Sequence, residues 1–96
     1  MLERVQPSPI VSLNRAVAIA MVEGYDRGLA VMDRIAASGD LDGYHLLHAA
    51  RADLLRRIGS SADAAASYER ALALATNESE RRFLEKRLRE TREAAG

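Results

Sequence analysis

The stretch ADLLRRIGSSADAAASYERALALA, residues 52–75, predicts two short helices that pack against each other. Apolar residues recur three and four positions apart on both sides of Gly59, as they do on one face of an α-helix. Gly59 ends the first helix, and Ser60 or Ser61 supplies an N-cap for the second. Small residues at Ala64 and Ala71 lie on the same helical face as Tyr68. This spacing indicates a helix pair with one large aromatic side chain at its centre.

A second, weaker copy of this unit lies roughly 35 residues earlier in the chain. Gly24 is its break, and Met32 stands where the later copy has Tyr68. A repeat of this length, built from small residues, a breaker and an aromatic, is typical of the tetratricopeptide (TPR) repeat. Such units bury their apolar faces by stacking on neighbours, and they present a surface to partners. The pattern favours a recognition module over an enzyme.

The chain as a whole is predicted to be all-α, because it contains neither an alternating apolar run nor a hairpin dipeptide. We expect five helices in TPR-like antiparallel pairs: two helix-turn-helix repeats and a C-terminal capping helix, forming a fragment of a right-handed α-solenoid. Their predicted ranges are about residues 9–23, 26–37, 42–58, 61–76 and 78–94. Ser8 and the capping box Asn77–Glu80 mark the starts of the first and last helices.

Each predicted helix has a set of residues expected to face inward. These are Ile10, Leu13, Val17, Ala20 and Met21; Leu29, Met32, Ile35 and Ala36; Leu46, Leu47, Ala50, Leu54 and Leu55; Ala64, Tyr68, Ala71, Leu72 and Ala75; and Phe83, Leu84 and Leu88. Residues 9–94 are expected to form a single domain. Residues 1–8 are interpreted as the end of a preceding helix or a linker, because Leu2 and Val5 repeat the spacing of Leu72 and Ala75 at about two periods' distance.

Composition argues against several classes of function. Fourteen basic and fourteen acidic residues give a formal net charge of zero, so no global basic field draws in nucleic acid or an anionic membrane. The chain has no cysteine, which rules out disulfides and thiolate metal sites within it. No nucleophile has a base at a plausible spacing, and no glycine-rich phosphate loop follows a strand. We predict no enzymatic activity, no cofactor, no direct nucleic-acid contact and no membrane contact.

The third helix carries the densest polar group, which we predict to be an interaction site. It consists of Tyr44, His45, His48, Arg51 and Asp53, and Asn14 and Arg15 of the first helix join it. The first helices of TPR pairs line the inner surface of a stack. Burial there favours apolar residues, so polar residues at these positions indicate a role in binding. The alternative is structural: these side chains hydrogen-bond neighbouring helices, with Arg15 on the solvent side or paired with Asp53 or Asp33. A metal site is not predicted, because His45 and His48 have only Asp42 as a third ligand and no HExxH spacing exists.

Three longer strings then resemble one specific family. They are SPIVSLNRAVA at residues 8–18, GYHLLHAARADLLRRIG at residues 43–59 and NESERRFL at residues 77–84. Together they are similar to the C-terminal TPR-like domain of a group of bacterial extracytoplasmic-function (ECF) RNA polymerase sigma factors. The resemblance covers most of the chain, and the string at 43–59 is the most specific.

The resemblance implies a regulatory extension that acts in the cytoplasm on promoter-binding sigma domains of the same chain or on RNA polymerase. It supplies no ligand or signal. A homodimer formed in isolation through the exposed face of the N-terminal repeat is a further partner that the sequence allows. Two alternatives remain open: a free-standing TPR adaptor for an unrelated peptide, and a small-molecule or metal sensor using His45 and His48.

Overall fold

A computed structural model describes residues 9–39 and 43–95, with side chains from residue 11 onward. All regular structure in these ranges is helical, which confirms the all-α prediction. The helices are α1 (Pro9–Glu23), α2 (Tyr25–Ser38), α3 (His45–Arg57), α4 (Ser61–Leu74) and α5 (Glu78–Ala95). Consecutive helices pack on each other in chain order, most extensively α3 with α4, α1 with α2 and α4 with α5.

A glycine forms the turn between the first two helices. Gly24, the single residue between α1 and α2, has φ 112°, a conformation that glycine adopts without penalty. One turn later, Gly28 lies directly against α1: a Cβ placed on it would stand 2.3 Å from the Cβ of Ala20. Gly28 and Ala20 therefore allow the two helix backbones to approach closely.

Two apolar cores pack against different faces of α3. The N-terminal core consists of Leu13, Ala16, Ala20, Met32, Leu47 and Leu54. The C-terminal core consists of Ala52, Leu55, Ala64, Tyr68, Ala71, Ala75, Leu84 and Leu88. Because α3 contributes two residues to each core, it is the element that joins the two helix pairs.

Several predicted helix bounds and caps are corrected by one to three residues. The third helix begins at His45 and not at Asp42, since Tyr44 is its N-cap residue and Gly43 lies in a turn. Ser60 occupies the N-cap position of α4, but its hydroxyl makes no capping hydrogen bond. The predictions for residues 1–8, including the Ser8 cap, and for Asp42 concern positions outside the described residues.

Three of the predicted inward residues face outward instead. Met21 is 57% exposed, Leu46 is 41% exposed and Phe83 is 52% exposed. Their helices bury other faces, and in α5 that face is Leu84, Leu88 and Thr91. Val11 and Val22 are also exposed, so α1 carries apolar side chains on its outer face as well.

Candidate functional site

An apolar groove runs across the first helix of each pair and the C-terminal helix, from α1 over α3 to α5. Its first pocket, between α3 and α5, has a cavity volume of about 290 Å³. The pocket is lined by His45, Leu46, Ala49, Ser79, Glu80, Phe83 and Leu84.

A second pocket of about 320 Å³ lies between α1 and α3. The residues that line it are Leu13, Asn14, Val17, Tyr44, Leu46, Ala49 and Ala50. Leu46 and Ala49 line both pockets, so α3 forms a low ridge between them. We call the two pockets and this ridge the α1–α3–α5 groove.

The exposed apolar side chains of the groove are Leu46 and Phe83. Leu46 crowns the ridge, and Phe83 stands on α5 with the Arg87 guanidinium 5.3 Å from its ring centre. Neither side chain is needed to fill a core, because the buried positions of α3 and α5 are occupied by other residues. The groove therefore exposes a continuous apolar strip to solvent.

Polar groups mark the rim of the α3–α5 pocket. His45 Nε2 lies 2.9 Å from Glu80 Oε1, within ion-pairing distance, although no hydrogen bond forms at that nitrogen. Tyr44 packs edge-on against the His45 ring, with ring centres 5.8 Å apart. Only half of the predicted capping box forms: the Glu80 backbone N–H donates to Asn77 Oδ1 over 3.1 Å, while the Glu80 carboxylate turns to His45.

Arg51, a second member of the predicted patch, joins α3 to α2. Its Nε and Nη2 both donate to Asp33 Oδ1, at 3.0 and 2.7 Å. The structural alternative for this patch included an Arg–Asp pair, and such a pair exists. It connects α3 to α2, whereas the pairs considered in that alternative, Arg15 with Asp53 or Asp33, would have connected α1 to α3 or α2.

Asp53 belongs to a basic cluster at the end of α3. Its two carboxylate oxygens accept hydrogen bonds from Arg56 Nη2 at 2.6 Å and Arg57 Nε at 2.9 Å. Partial burial is the largest single influence and disfavours the charged carboxylate. The hydrogen bonds and charges of the two arginines together outweigh it and lower the pKa of Asp53. Arg57 also donates to the Tyr25 hydroxyl over 3.1 Å, which ties this cluster to the start of α2.

The remaining predicted site residues separate by burial. His48 is 8% exposed and belongs to the packed side of α3. Arg15 is exposed, which agrees with the solvent-side alternative, since Asp33 and Asp53 bind arginines of α3. Asn14 is exposed and reaches the α1–α3 pocket. Of the seven predicted residues, the groove includes Asn14, Tyr44 and His45.

Sequence reasoning missed Leu46, Phe83 and Glu80 as residues of the groove. A detectable signal was the spacing of Leu84, Leu88 and Thr91, which marks the buried stripe of α5 at i, i+4 and i+7. Phe83 lies about 100° of helical rotation from Leu84, to one side of that stripe. No comparable signal identified Glu80, because its pairing with His45 depends on how α5 stacks beside α3.

Residues 9–39 and 43–95 contain no group of three or more histidine and carboxylate side chains that could hold a metal ion. None of the helices in those ranges has the length and apolar character needed to cross a membrane.

Comparison with known proteins finds a relative of this chain. No family model matches the chain, and no solved structure matches it. An uncharacterized protein of Rhizobium meliloti (strain 1021) is 42% identical over 87 residues, which cover 91% of this chain. The chain spans only about one fifth (20%) of that relative's length.

Proposed function

We propose that this chain is a non-enzymatic interaction domain that binds its partner in the α1–α3–α5 groove. The observation that carries the proposal is the exposure of Leu46 and Phe83 at the edges of two adjoining apolar pockets. Contiguous exposed apolar surface in a folded domain is typical of a binding site. Exposing large apolar side chains to water is unfavourable in free energy, and a bound partner would remove that apolar surface from water.

We further propose that the helices form a TPR-like, right-handed solenoid fragment. In support, the two Gly-centred helix pairs follow one another in chain order, and α1, α3 and α5 line a single groove. This arrangement is the one by which TPR stacks present their first helices to a partner.

The biological setting we propose is the cytoplasmic regulatory C-terminal domain of an ECF sigma factor. It contacts the sigma core domains of its own chain or RNA polymerase and thereby modulates transcription initiation. The strings at residues 8–18, 43–59 and 77–84 support this setting. A homologue five times as long as the matching region is consistent with a chain that has further domains.

The decisive experiment compares the parent sigma factor with and without this domain, measuring transcription from the promoter that the factor itself recognises. We expect the deletion to change the output. Unchanged output would oppose a regulatory role and would favour the free-standing adaptor.

A second experiment tests the groove itself in the full-length factor. Leu46→Ala and Phe83→Ala remove apolar surface that is already half exposed, so we expect the melting temperature to change little and transcriptional control to be lost. Ile58→Ala is the matched control, since Ile58 is 38% exposed but lies outside both pockets. Equal effects of all three variants on transcription would remove the groove from the proposal.

A further inference from the structure

We infer that the groove binds an amphipathic helix with two large apolar side chains two turns apart and an arginine or lysine one further turn along. The basic residue pairs with Glu80. This inference rests on the proposed interaction function and specifies the partner's chemistry.

Each of the two pockets is large enough to admit one large apolar side chain. At about 290 and 320 Å³, both lie at the lower end of the range for small-molecule sites, roughly 300–1,000 Å³. Both pockets have apolar linings, which include Leu13 and Val17 in one pocket, Phe83 and Leu84 in the other, and Leu46 in both. Each pocket thus has the size and the lining for one leucine, methionine or phenylalanine.

The spacing of the pockets sets the spacing of those side chains. One helix, α3, separates the pockets, and a helix with its side chains is about 10 Å across. In a partner helix, residues i and i+7 lie on one face about 10.5 Å apart, which matches this separation. In an extended strand, same-face residues are about 6.7 or 13 Å apart, and neither distance fits.

A polyproline II segment also repeats at a suitable distance, about 9.3 Å for three residues, but its backbone is poorly suited to this apolar lining. Its N–H and C=O groups make no internal hydrogen bonds and need solvent or polar partners. An α-helix satisfies its own backbone before it reaches the groove. The helix is therefore the conformation that fits both the spacing and the apolar lining.

Charge distinguishes the two ends of α5. Among the described residues that line the two pockets, Glu80 and the ionisable His45 are the only ones that can carry a charge, and the Glu80 side chain is 42% exposed. The other polar groups lining the pockets, Asn14, Tyr44 and Ser79, are neutral. About two turns farther along α5, Arg87 lies over Phe83 and contacts Glu90 at 3.4 Å. A cationic side chain of the partner is consequently drawn to the start of α5 and repelled from its middle.

The test is a titration of the ¹⁵N-labelled 96-residue chain with four Ala-based helical peptides, followed by amide chemical shifts. The first peptide carries Leu at i and i+7 and Arg at i+11. The second has its leucines at i and i+4, the third replaces Arg with Gln, and the fourth replaces Arg with Glu. We expect the first to bind most tightly, with shifts at Leu46, Ala49 and Phe83, and the fourth to bind least.

Variants of the protein isolate the charge. Glu80→Gln should weaken binding of the Arg peptide by about tenfold, the loss of one charge-assisted contact, and should leave the Gln peptide unaffected. Glu85→Gln, an exposed change on α5 outside both pockets, is the control and should affect neither. The Glu80 backbone N–H holds the Asn77 cap, so Glu80→Gln leaves the start of α5 intact.

The outcomes separate the two levels of the proposal. Equal affinity for one-turn and two-turn spacing, insensitivity to Glu80→Gln, or no binding of the first peptide would overturn the partner chemistry. None of these results alters the proposed function if Leu46→Ala still abolishes transcriptional control. If the first peptide does not bind and Leu46→Ala leaves transcriptional control intact, the groove is not a binding site.

Discussion

At the scale of single residues, the contact between Gly28 and Ala20 constrains how α1 and α2 pack. Gly28→Ala adds a methyl group 2.3 Å from the Ala20 Cβ and 3.0 Å from the Ala16 carbonyl oxygen, so the two helices must move apart. We expect a net loss of about 1–3 kcal/mol in the free energy of unfolding, even though alanine is the better helix former. Chemical denaturation measures this loss. Gly43→Ala is the control, because nothing lies within 4 Å of the added Cβ. Comparable stability of the two variants would contradict the close approach.

The carboxylate of Asp53 gives a second prediction, for acid stability. Its pKa is lowered in the folded chain, so its contribution is fully present above the unfolded value of about 3.9 and is lost as the pH falls through the folded pKa. Asp53→Asn should therefore reduce stability at pH 7 and should make the melting temperature less sensitive to acid below about pH 4. Asp63→Asn, an exposed change in the first turn of α4, should retain the full acid sensitivity. If both variants follow the wild-type curve, the arginine cluster does not stabilise the fold.

At the scale of elements, a side chain of α5 caps the C-terminal end of α4. Arg81 Nη1 donates to the carbonyl oxygens of Leu72 and Ala75, at 2.9 and 3.2 Å. These are carbonyl groups that the end of α4 leaves without a helical partner, and a cation there also interacts favourably with the helix dipole.

Arg81→Ala should accordingly cost about 1–2 kcal/mol, in line with a hydrogen bond to a charged group. Arg82→Ala, whose side chain is 75% exposed and pairs only with Glu78, should cost less than about 0.5 kcal/mol. Thermal unfolding of the two variants side by side measures the difference. A loss no greater for Arg81→Ala than for Arg82→Ala would show that the contact does not cap α4.

Helix positions were largely predictable from the sequence, and helix orientations were not. Gly24, Gly59 and Asn77 bound their helices through local chemistry, so these signals located three helix ends within one or two residues. Which face of α1, α3 or α5 is buried depends on where the neighbouring helices lie. Met21, Leu46 and Phe83 were assigned to the core because they are large and apolar, and hydrophobicity alone cannot separate a core residue from one that lines a groove.

At the scale of the whole molecule, the two cores predict two separable units of stability. Stacked helix pairs contact mainly their neighbours, so each end can open while the other remains folded. Met32→Ala, at a fully buried site of the N-terminal core, should lower the opening free energy of α1 and α2 by about 2–5 kcal/mol and leave α5 nearly unchanged. Leu84→Ala should do the reverse. Native-state hydrogen exchange resolves the helices, and parallel losses in all five would indicate a single cooperative unit.

The candidate site was only partly predictable at this scale, because it is assembled from three helices. The sequence pointed to the start of α3, and Tyr44 and His45 do lie at the groove. The same argument grouped them with Arg51 and Asp53, whose carboxylate and guanidinium partners lie on α2 and at the end of α3. Closeness in sequence along α3 could not show that these side chains point in different directions and contact different helices.

The position of α3 between the two cores has a mechanical consequence. Leu47 and Leu54 pack one helix pair against α3, and Ala52 and Leu55 pack the other. A change in the angle between the two pairs would therefore be a rotation about α3. The groove crosses α3, so its width depends on the angle between the two helix pairs.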